Sequence, residues 1–229
     1  MLIFWDIDGT LMHCGADGTA ALNKTFFDLY GIEDALDSAG VGSAMDSAVL
    51  ERIMQTFALS GVGLRTVKST YAANLESILA KNTNKRILPG VTALLDYARG
   101  NGWTNLLLTT NLRAGAETKL RAVGLWAYFS DSFSESFNEG FGDGPGEKWD
   151  AAARAVRLLE TRENKVFPLS EIFLVGDGVY DIRCAKRMGI RHIAVATGWT
   201  PKEALAAENP DFLLDDLSDT ARVAGILNT

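Results

Sequence analysis

Short apolar segments recur along the chain, each followed by polar or glycine-rich residues and then by a segment with helical spacing of apolar residues. The strand-like segments are residues 2–5, 106–109, 172–175, 192–196 and 212–214, and the helical ones include 114–123, 147–159 and 181–188. Segments that are apolar on both faces are typical of parallel strands covered on both sides. The alternation predicts an α/β fold with a Rossmann-like, mostly parallel sheet and helices on both faces.

Residues 14–87 interrupt this alternation. They contain three segments with helical spacing, 20–29, 47–57 and 67–79, and no convincing apolar strand. After Pro89 and Gly90 a further helical segment leads back into the α/β pattern. We therefore predict a catalytic core of residues 1–13 and 88–229, with a small α-helical cap domain, residues 14–87, inserted after the first strand. A single α/β domain with a long helical excursion is the alternative.

Composition narrows the class of protein. The chain has 229 residues, 47% of them hydrophobic and 22% charged, which is typical of a globular enzyme. Its net charge of -7 argues against a nucleic-acid partner. The two cysteines have no metal-binding spacing, and no uncharged apolar run is long enough to span a membrane. We expect a cytoplasmic protein that binds neither nucleic acid nor membrane.

Polar and acidic residues follow three of the predicted strands. They are Asp6 and Asp8 after the first, Thr109, Thr110 and Asn111 after the second, and Gly176, Asp177 and Asp181 after the third. Ligands of open parallel sheets bind outside the carboxyl ends of the strands. A single site at that edge accounts for all three groups together.

The paired carboxylates predict a metal ion. Asp6 and Asp8 lie two positions apart, so in strand geometry both side chains point to one face. Mg²⁺ is a hard cation that binds through one or two carboxylates together with a substrate phosphate. Asp177 could supply another carboxylate. Asp181 begins a predicted helix, where its carboxylate could either cap the helix or support the metal, and both interpretations stay open.

An anionic substrate also needs hydrogen-bond donors and a positive charge. Thr109 and the backbone amides of the following turn offer donors for phosphate oxygens. Lys148, at the start of a helix after the glycine-rich segment GFGDGPGEK, offers the charge. Lys119 and Arg113 are alternatives to Lys148.

These motifs resemble those of the haloacid dehalogenase-like superfamily, in its phosphoglycolate-phosphatase-like branch with a helical C1-type cap. DIDGTL at 6–11, LLLTTN at 106–111, Lys148 and GDGVYD at 176–181 correspond to its four motifs in order and spacing. The resemblance implies a Mg²⁺-dependent phosphatase that hydrolyses a small phosphorylated metabolite, phosphoglycolate-like or a sugar phosphate, through an aspartyl-phosphate intermediate.

The resemblance also assigns roles to residues. It implies that Asp6 is the nucleophile and Asp8 the general acid and base, and an aspartate at the second position favours phosphoryl transfer over dehalogenation. Thr109 and Lys148 complete the implied catalytic set. The implied metal site consists of the Asp6 carboxylate, the Asp8 backbone carbonyl, Asp177 and, in support, Asp181. The residues expected to bind the substrate phosphate are Gly9, Thr109, Thr110, Asn111 and Lys148.

Two other functions are compatible with these motifs. One is a phosphomutase of the beta-phosphoglucomutase type, and the other is a non-catalytic phosphate-binding module. A module that only binds has no need of an acid–base carboxylate, which favours the enzyme.

Selection of the substrate is expected from the cap, where Asp46, Arg52 and Arg65 are the candidates. We expect a monomer or a homodimer.

Overall fold

The computed structural model describes residues 1–40 and 44–229, and residues 41–43 of the predicted cap lie outside the described residues. The strands are β1 Leu2–Trp5, β2 Met12–His13, β3 Arg86–Ile87, β4 Thr104–Leu107, β5 Ile172–Gly176, β6 Arg191–Val195 and β7 Phe212–Leu214. The helices are α1 Asp17–Tyr30, α2 Ala35–Ala39, α3 Asp46–Thr56, α4 Leu64–Lys81, α5 Val91–Gly100, α6 Arg113–Ala122, α7 Lys148–Glu163, α8 Val179–Met188, α9 Lys202–Ala207 and α10 Thr220–Leu227. Short 3₁₀ turns lie at Trp126–Tyr128, Ser130–Phe133 and Leu169–Glu171.

Five strands form one parallel sheet in the order β4-β1-β5-β6-β7. The first strand of the chain therefore lies inside the sheet, with Trp5 paired to Leu107 of β4 on one side and to Val175 of β5 on the other. Parallel neighbours need crossover connections, and the helices that make them cover the sheet. The predicted α/β fold class is confirmed.

Both faces of the sheet are buried, as the apolar strand segments predict. Ile3 and Trp5 of β1 belong to the hydrophobic cluster that includes the buried side of α5. Leu2 and Phe4 point the other way, into a cluster with Ala152 and other small residues of α7. Successive side chains of a strand alternate between faces, so one short strand contributes to both halves of the core.

The edge strand β4 differs from the prediction by two residues. The sequence predicts residues 106–109, but pairing begins at Thr104 and ends at Leu107. The strand begins early because the side chains of an edge strand are only partly covered, which permits the polar residues Thr104 and Asn105. It ends early because the amide of Thr109 donates to the Gly140 carbonyl oxygen, outside the sheet.

The predicted insert contains four described helices, α1 to α4, including the short helix α2, which the pattern did not predict. A two-stranded antiparallel ribbon, β2 with β3, also lacked a sequence signal because each strand has only two residues. The ribbon joins the two ends of the helical segment. Helix α4 packs against α1 within the segment and against α6 outside it. The division into a core and a cap domain stays a prediction.

We predict that Leu174→Ala destabilises the protein by about 2–5 kcal/mol, because a fully buried leucine in the central strand β5 leaves a cavity. Urea unfolding of both proteins measures the change. Leu169→Ala is the control, because Leu169 is 52% exposed and should change the free energy of unfolding by less than about 0.5 kcal/mol. Equal losses from the two substitutions would contradict the burial of β5.

Candidate active site

The register of the sheet brings the predicted strand ends together. The amide of Asp6 donates to the Val175 carbonyl oxygen (3.0 Å), and the amide of Leu108 donates to the Trp5 carbonyl oxygen (2.8 Å). Hydrogen bonding thus continues one residue beyond the end of β1 on the β5 side and one residue beyond the end of β4 on the other side. The residues that follow β1, β4 and β5 consequently emerge at the same edge of the sheet.

Three carboxylates form a buried cluster at this edge. Asp6, Asp177 and Asp181 each place an oxygen within 4.8 Å of the others, and their exposed fractions are 8%, 6% and 3%. Lys148 lies among them, with Nζ 2.9 Å from Asp6 Oδ1 and 2.5 Å from Asp181 Oδ1. Lys148 is itself 2% exposed, so these ion pairs are screened little by solvent.

The cluster holds more negative charge than Lys148 neutralises. Burial raises the pKa of Asp177 above its ordinary value, and the nearby Asp6 and Asp181 raise it further. Burial also raises the pKa of Asp6, against the opposing effect of Lys148. A divalent cation bound by oxygen ligands would compensate this excess, so the residues present fit a metal ion. The side chain of Asp8 lies outside the cluster, and the metal role predicted for Asp8 concerns its backbone carbonyl.

Glycines leave room for the Asp177 carboxylate. Gly9 has φ +83°, and a Cβ atom there would lie 2.5 Å from Asp177 Oδ2. A Cβ atom at Gly198 would lie 1.6 Å from the same oxygen. Thr10 Oγ1 donates to Asp177 Oδ1 (3.0 Å), a contact that the sequence analysis missed. Gly9 is also one of the residues predicted to bind phosphate, and its amide donates to the Met12 carbonyl oxygen (2.9 Å).

Asp181 combines the two roles left open from the sequence. The amide of Gly178 donates to Asp181 Oδ2 (3.0 Å), which caps the first turn of α8. The other oxygen, Oδ1, pairs with Lys148. Because each oxygen has its own partner, helix capping and membership of the acidic cluster do not compete.

Asp8 occupies a different environment, dominated by Lys119. Lys119 Nζ lies 2.6 Å from Asp8 Oδ2 and 2.7 Å from Asn111 Oδ1, and Asn111 Nδ2 donates to Asp8 Oδ2 (2.8 Å). Burial alone would raise the pKa of Asp8, but Lys119 and Asn111 hold it below its ordinary value. Asp8 raises the pKa of Lys119 in return, against the effect of burial.

Lys119 is the site residue that sequence reasoning placed least well, as an alternative to Lys148. The structure shows two buried lysines with different partners. A signal for Lys119 was available in helix α6, whose buried residues Gly115, Ala116, Lys119 and Leu120 form one face. A lysine within the apolar face of an amphipathic helix needs a buried anion as partner.

The three polar residues of the turn after β4 differ in whether they reach the cavity beside Asp8. Thr109 is fully buried, and its hydroxyl accepts a hydrogen bond from Asn111 Nδ2 (2.7 Å). Thr110 and Asn111 line an open cavity that also reaches Asp8. The structure thus places Thr109 behind Asn111 and places Thr110 at the cavity wall.

That cavity, of about 560 Å³, separates the helices of the insert from the sheet edge. Its lining comes from the insert, from the turn after β4, from Lys119 and from Trp199. Among the three selectivity candidates from the sequence, Asp46 lines the cavity. Arg52 and Arg65 are exposed and are not part of its lining.

Comparison with known proteins identifies the class that this fold and site define. Residues 1–189 match the family model of haloacid dehalogenase-like hydrolases. Phosphoglycolate phosphatase 1 of Pseudomonas aeruginosa is 25% identical over 222 residues, which cover 95% of this chain and 77% of the relative. A phosphoglycolate phosphatase of Vibrio parahaemolyticus is 25% identical, with 98% and 96% covered. CbbY of Rhodobacter sphaeroides, solved in complex with phosphate, superposes with a TM-score of 0.71 at 20% identity, with 95% of each chain covered.

The chain belongs to the haloacid dehalogenase-like hydrolases. The family resemblance drawn from the four motifs is confirmed, as is the prediction of an enzyme of the hydrolase class. The curated relatives are phosphatases, in agreement with the predicted class of phosphoric monoester hydrolase.

Within the described residues, no helix is both long enough and apolar enough to cross a membrane.

We predict that Mg²⁺ raises the melting temperature of the protein, because a cation that binds only the folded state stabilises it. Asp177→Asn should remove most of this gain, since it takes a carboxylate from the cluster. Thermal unfolding with Mg²⁺ and with excess EDTA measures the difference. Asp37→Asn, at an exposed position of α2, is the matched control and should keep the full gain. An equal Mg²⁺ effect in both variants would argue against the acidic cluster as the metal site.

Proposed function

We propose that the protein is a Mg²⁺-dependent phosphatase that hydrolyses a small phosphorylated metabolite through an aspartyl-phosphate on Asp6. The supporting observation is the contrast between two neighbouring carboxylates. Asp6 lies in the acidic cluster beside Lys148, whereas Asp8 is bound by Lys119 and Asn111. Pairs of titratable groups in contrasting environments are typical of sites that divide nucleophilic and acid–base roles.

Lys148 positions the nucleophile. It holds Asp6 through Oδ1, and among the described residues no hydrogen bond is made to Asp6 Oδ2. One oxygen of Asp6 is therefore oriented and the other stays available. When a phosphoryl group is present, the charge on Lys148 also lies close to its oxygens, as expected for a phosphate-binding lysine.

The carboxylates of Asp6, Asp177 and Asp181, with the Asp8 backbone carbonyl, would hold Mg²⁺. A bound divalent ion supplies positive charge that offsets the negative charge of the phosphoryl oxygens and of the attacking carboxylate. Lys148 orients the carboxylate of Asp6, and Thr10 orients the carboxylate of Asp177.

Two displacements at phosphorus complete the reaction. In the first, an oxygen of Asp6 forms a bond to phosphorus while the ester oxygen leaves with its bonding pair and takes a proton from Asp8. In the second, water attacks the phosphorus of the aspartyl-phosphate and gives a proton to Asp8, and the bond to Asp6 breaks. The products are the alcohol and inorganic phosphate, and both aspartates return to their initial states.

Lys119 and Asn111 prepare Asp8 for this exchange. In the free enzyme they favour the ionised carboxylate, which is the form that accepts a proton from water. The negative charge of an entering phosphoryl group raises the pKa of a nearby carboxyl and favours its protonation for the first step. Lys119 Nζ also donates to Asn111 Oδ1, so the two donors that orient Asp8 hold each other in place.

We also propose that residues 14–87 act as a cap over the site. The amide of Asp46 donates to the Thr110 carbonyl oxygen (2.9 Å), and the amide of Ser47 donates to the Gly142 carbonyl oxygen (3.0 Å). Lys68 of α4 pairs with Asp143 (2.8 Å). These contacts hold the insert against the turns beside Asp8. A closed cap excludes bulk water from the phosphoryl group, and its opening admits the substrate.

We predict that Asp6→Asn abolishes phosphate release from p-nitrophenyl phosphate, because an amide oxygen is a poor nucleophile. Asp8→Asn should lower kcat by about 10²–10⁴, the usual contribution of general acid–base catalysis. Steady-state kinetics and circular dichroism follow activity and folding, and Asp37→Asn should behave as wild type. If Asp6→Asn kept a tenth of the activity while folded, the assignment of the nucleophile would be wrong.

Labelled substrate separates this function from its alternatives. With ³²P in the phosphoryl group of a sugar phosphate, a phosphatase releases labelled inorganic phosphate, and quenching in acid traps label on Asp6. A phosphomutase would return most of the label to the sugar. A phosphate-binding module would leave the ester intact.

A further inference from the structure

The cavity between the insert and the sheet edge is lined by more acidic than basic side chains among the described residues. Among its described lining residues, the charged ones are Asp8, Asp46 and Lys119. Lys119 is already paired with Asp8 at 2.6 Å. Among the described lining residues, the charge left without an ion-pair partner is therefore the negative charge of Asp46.

Asp46 is held rigidly at the start of α3. Its amide donates to the Thr110 carbonyl oxygen, and its Oδ2 accepts a hydrogen bond from the amide of Leu112 (3.2 Å). For Oδ1 the described residues provide no hydrogen bond. Burial raises the pKa of Asp46 to about 6, so the group is mostly ionised at neutral pH and presents a hydrogen-bond acceptor.

The remaining cavity wall is largely apolar or neutral. Leu22, Leu36, Val49 and Trp199 supply apolar surface. The Tyr71 phenol stays protonated because burial raises its pKa above the ordinary value. An apolar cavity with few polar groups selects a ligand mainly through those groups. Of the charged groups in the described lining, Asp8 and Lys119 form an ion pair, so Asp46 is the group left to bind the organic part of a ligand.

We propose that Asp46 determines specificity, selecting phosphate monoesters whose organic part offers a hydroxyl or ammonium donor and carries no second anionic group. This inference rests on the proposed phosphatase function and restricts it to the sugar-phosphate-like part of the substrate range. A hydroxyl or ammonium group donates to Asp46 Oδ1. A carboxylate in the same place would face Asp46 with no unpaired cation among the described lining residues to receive it.

The proposal separates this chain from relatives named for phosphoglycolate, whose organic part ends in a carboxylate. Placing like charges together at a binding site is a common way to reject a competing ligand. A site that is built to bond a donor also discriminates strongly against analogues that lack it. Both effects act in the same direction at Asp46.

Size-matched pairs of esters test the inference. The pairs are glucose 6-phosphate with 6-phosphogluconate, glycerol 3-phosphate with 3-phosphoglycerate, and ethanolamine phosphate or 2-hydroxyethyl phosphate with phosphoglycolate. Phosphate release is measured with wild-type protein and Mg²⁺, with p-nitrophenyl phosphate as a reporter of the chemistry. In each pair that is turned over, we expect kcat/KM to favour the ester without the carboxylate by about tenfold or more, the usual value of a hydrogen bond to a charged group. The two-carbon esters show whether a hydroxyl or an ammonium donor is preferred.

Variants assign the preference to one side chain. Asp46→Asn keeps the shape and the acceptor for the Leu112 amide but removes the charge, and it should reduce the preference within each pair by about tenfold. Glu51→Gln removes an equal charge from an exposed position of the same helix and should keep the wild-type preference.

The outcomes are distinguishable. If no ester, including p-nitrophenyl phosphate, releases phosphate, the proposed function fails and this inference falls with it. If the chemistry is intact but phosphoglycolate or 6-phosphogluconate is the preferred member of its pair, the inference alone is overturned. An unchanged preference in folded Asp46→Asn would also overturn it. The ranking of substrates by wild-type protein decides the matter even if the variant does not fold.

Discussion

The site depends on one buried cation that holds two buried anions in place. Lys148 Nζ contacts Asp6 and Asp181 at the edge of the sheet, and all three side chains are removed from solvent. Removing one partner from such a pair leaves an uncompensated buried charge, which is strongly destabilising. The lysine links the start of α7 to the end of β1 and to the first turn of α8, so the position of the proposed nucleophile is set by three separate parts of the chain.

A second buried lysine gives the neighbouring carboxylate a different environment. Lys119 and Asn111 bind Asp8, which is two residues from Asp6 but is turned away from the acidic cluster. Each aspartate therefore has its own cation. This separation lets one short strand end provide two carboxylates with different proposed tasks. Among the lining residues that the structure describes, it also leaves Asp46 as the charged side chain without an ion-pair partner.

Much of the fold was predictable because its signals are local. The three inner strands, β1, β5 and β6, are buried on both faces, so apolar runs revealed them, and Leu2–Trp5 was predicted with its observed bounds. The predicted bounds of the edge strand β4 differ from the observed ones because Thr104 and Asn105 pair without being apolar. The ribbon β2–β3 had no signal, since two residues carry no periodicity. The sequence did not reveal the ion pair of Lys119 because its partner Asp8 is 111 residues away in the chain.

The sequence by itself determined the class of protein and the acidic strand ends, because a motif is a local pattern of residue types and the order of strand, turn and helix follows from hydrophobic periodicity. Only the tertiary structure decided which cation belongs to which carboxylate. It also decided that Asp46 lines the cavity whereas Arg52 and Arg65 do not. Those outcomes depend on the packing of α3, α4 and α6 around the sheet edge, where contacts join residues far apart in the chain and no local pattern records the pairing.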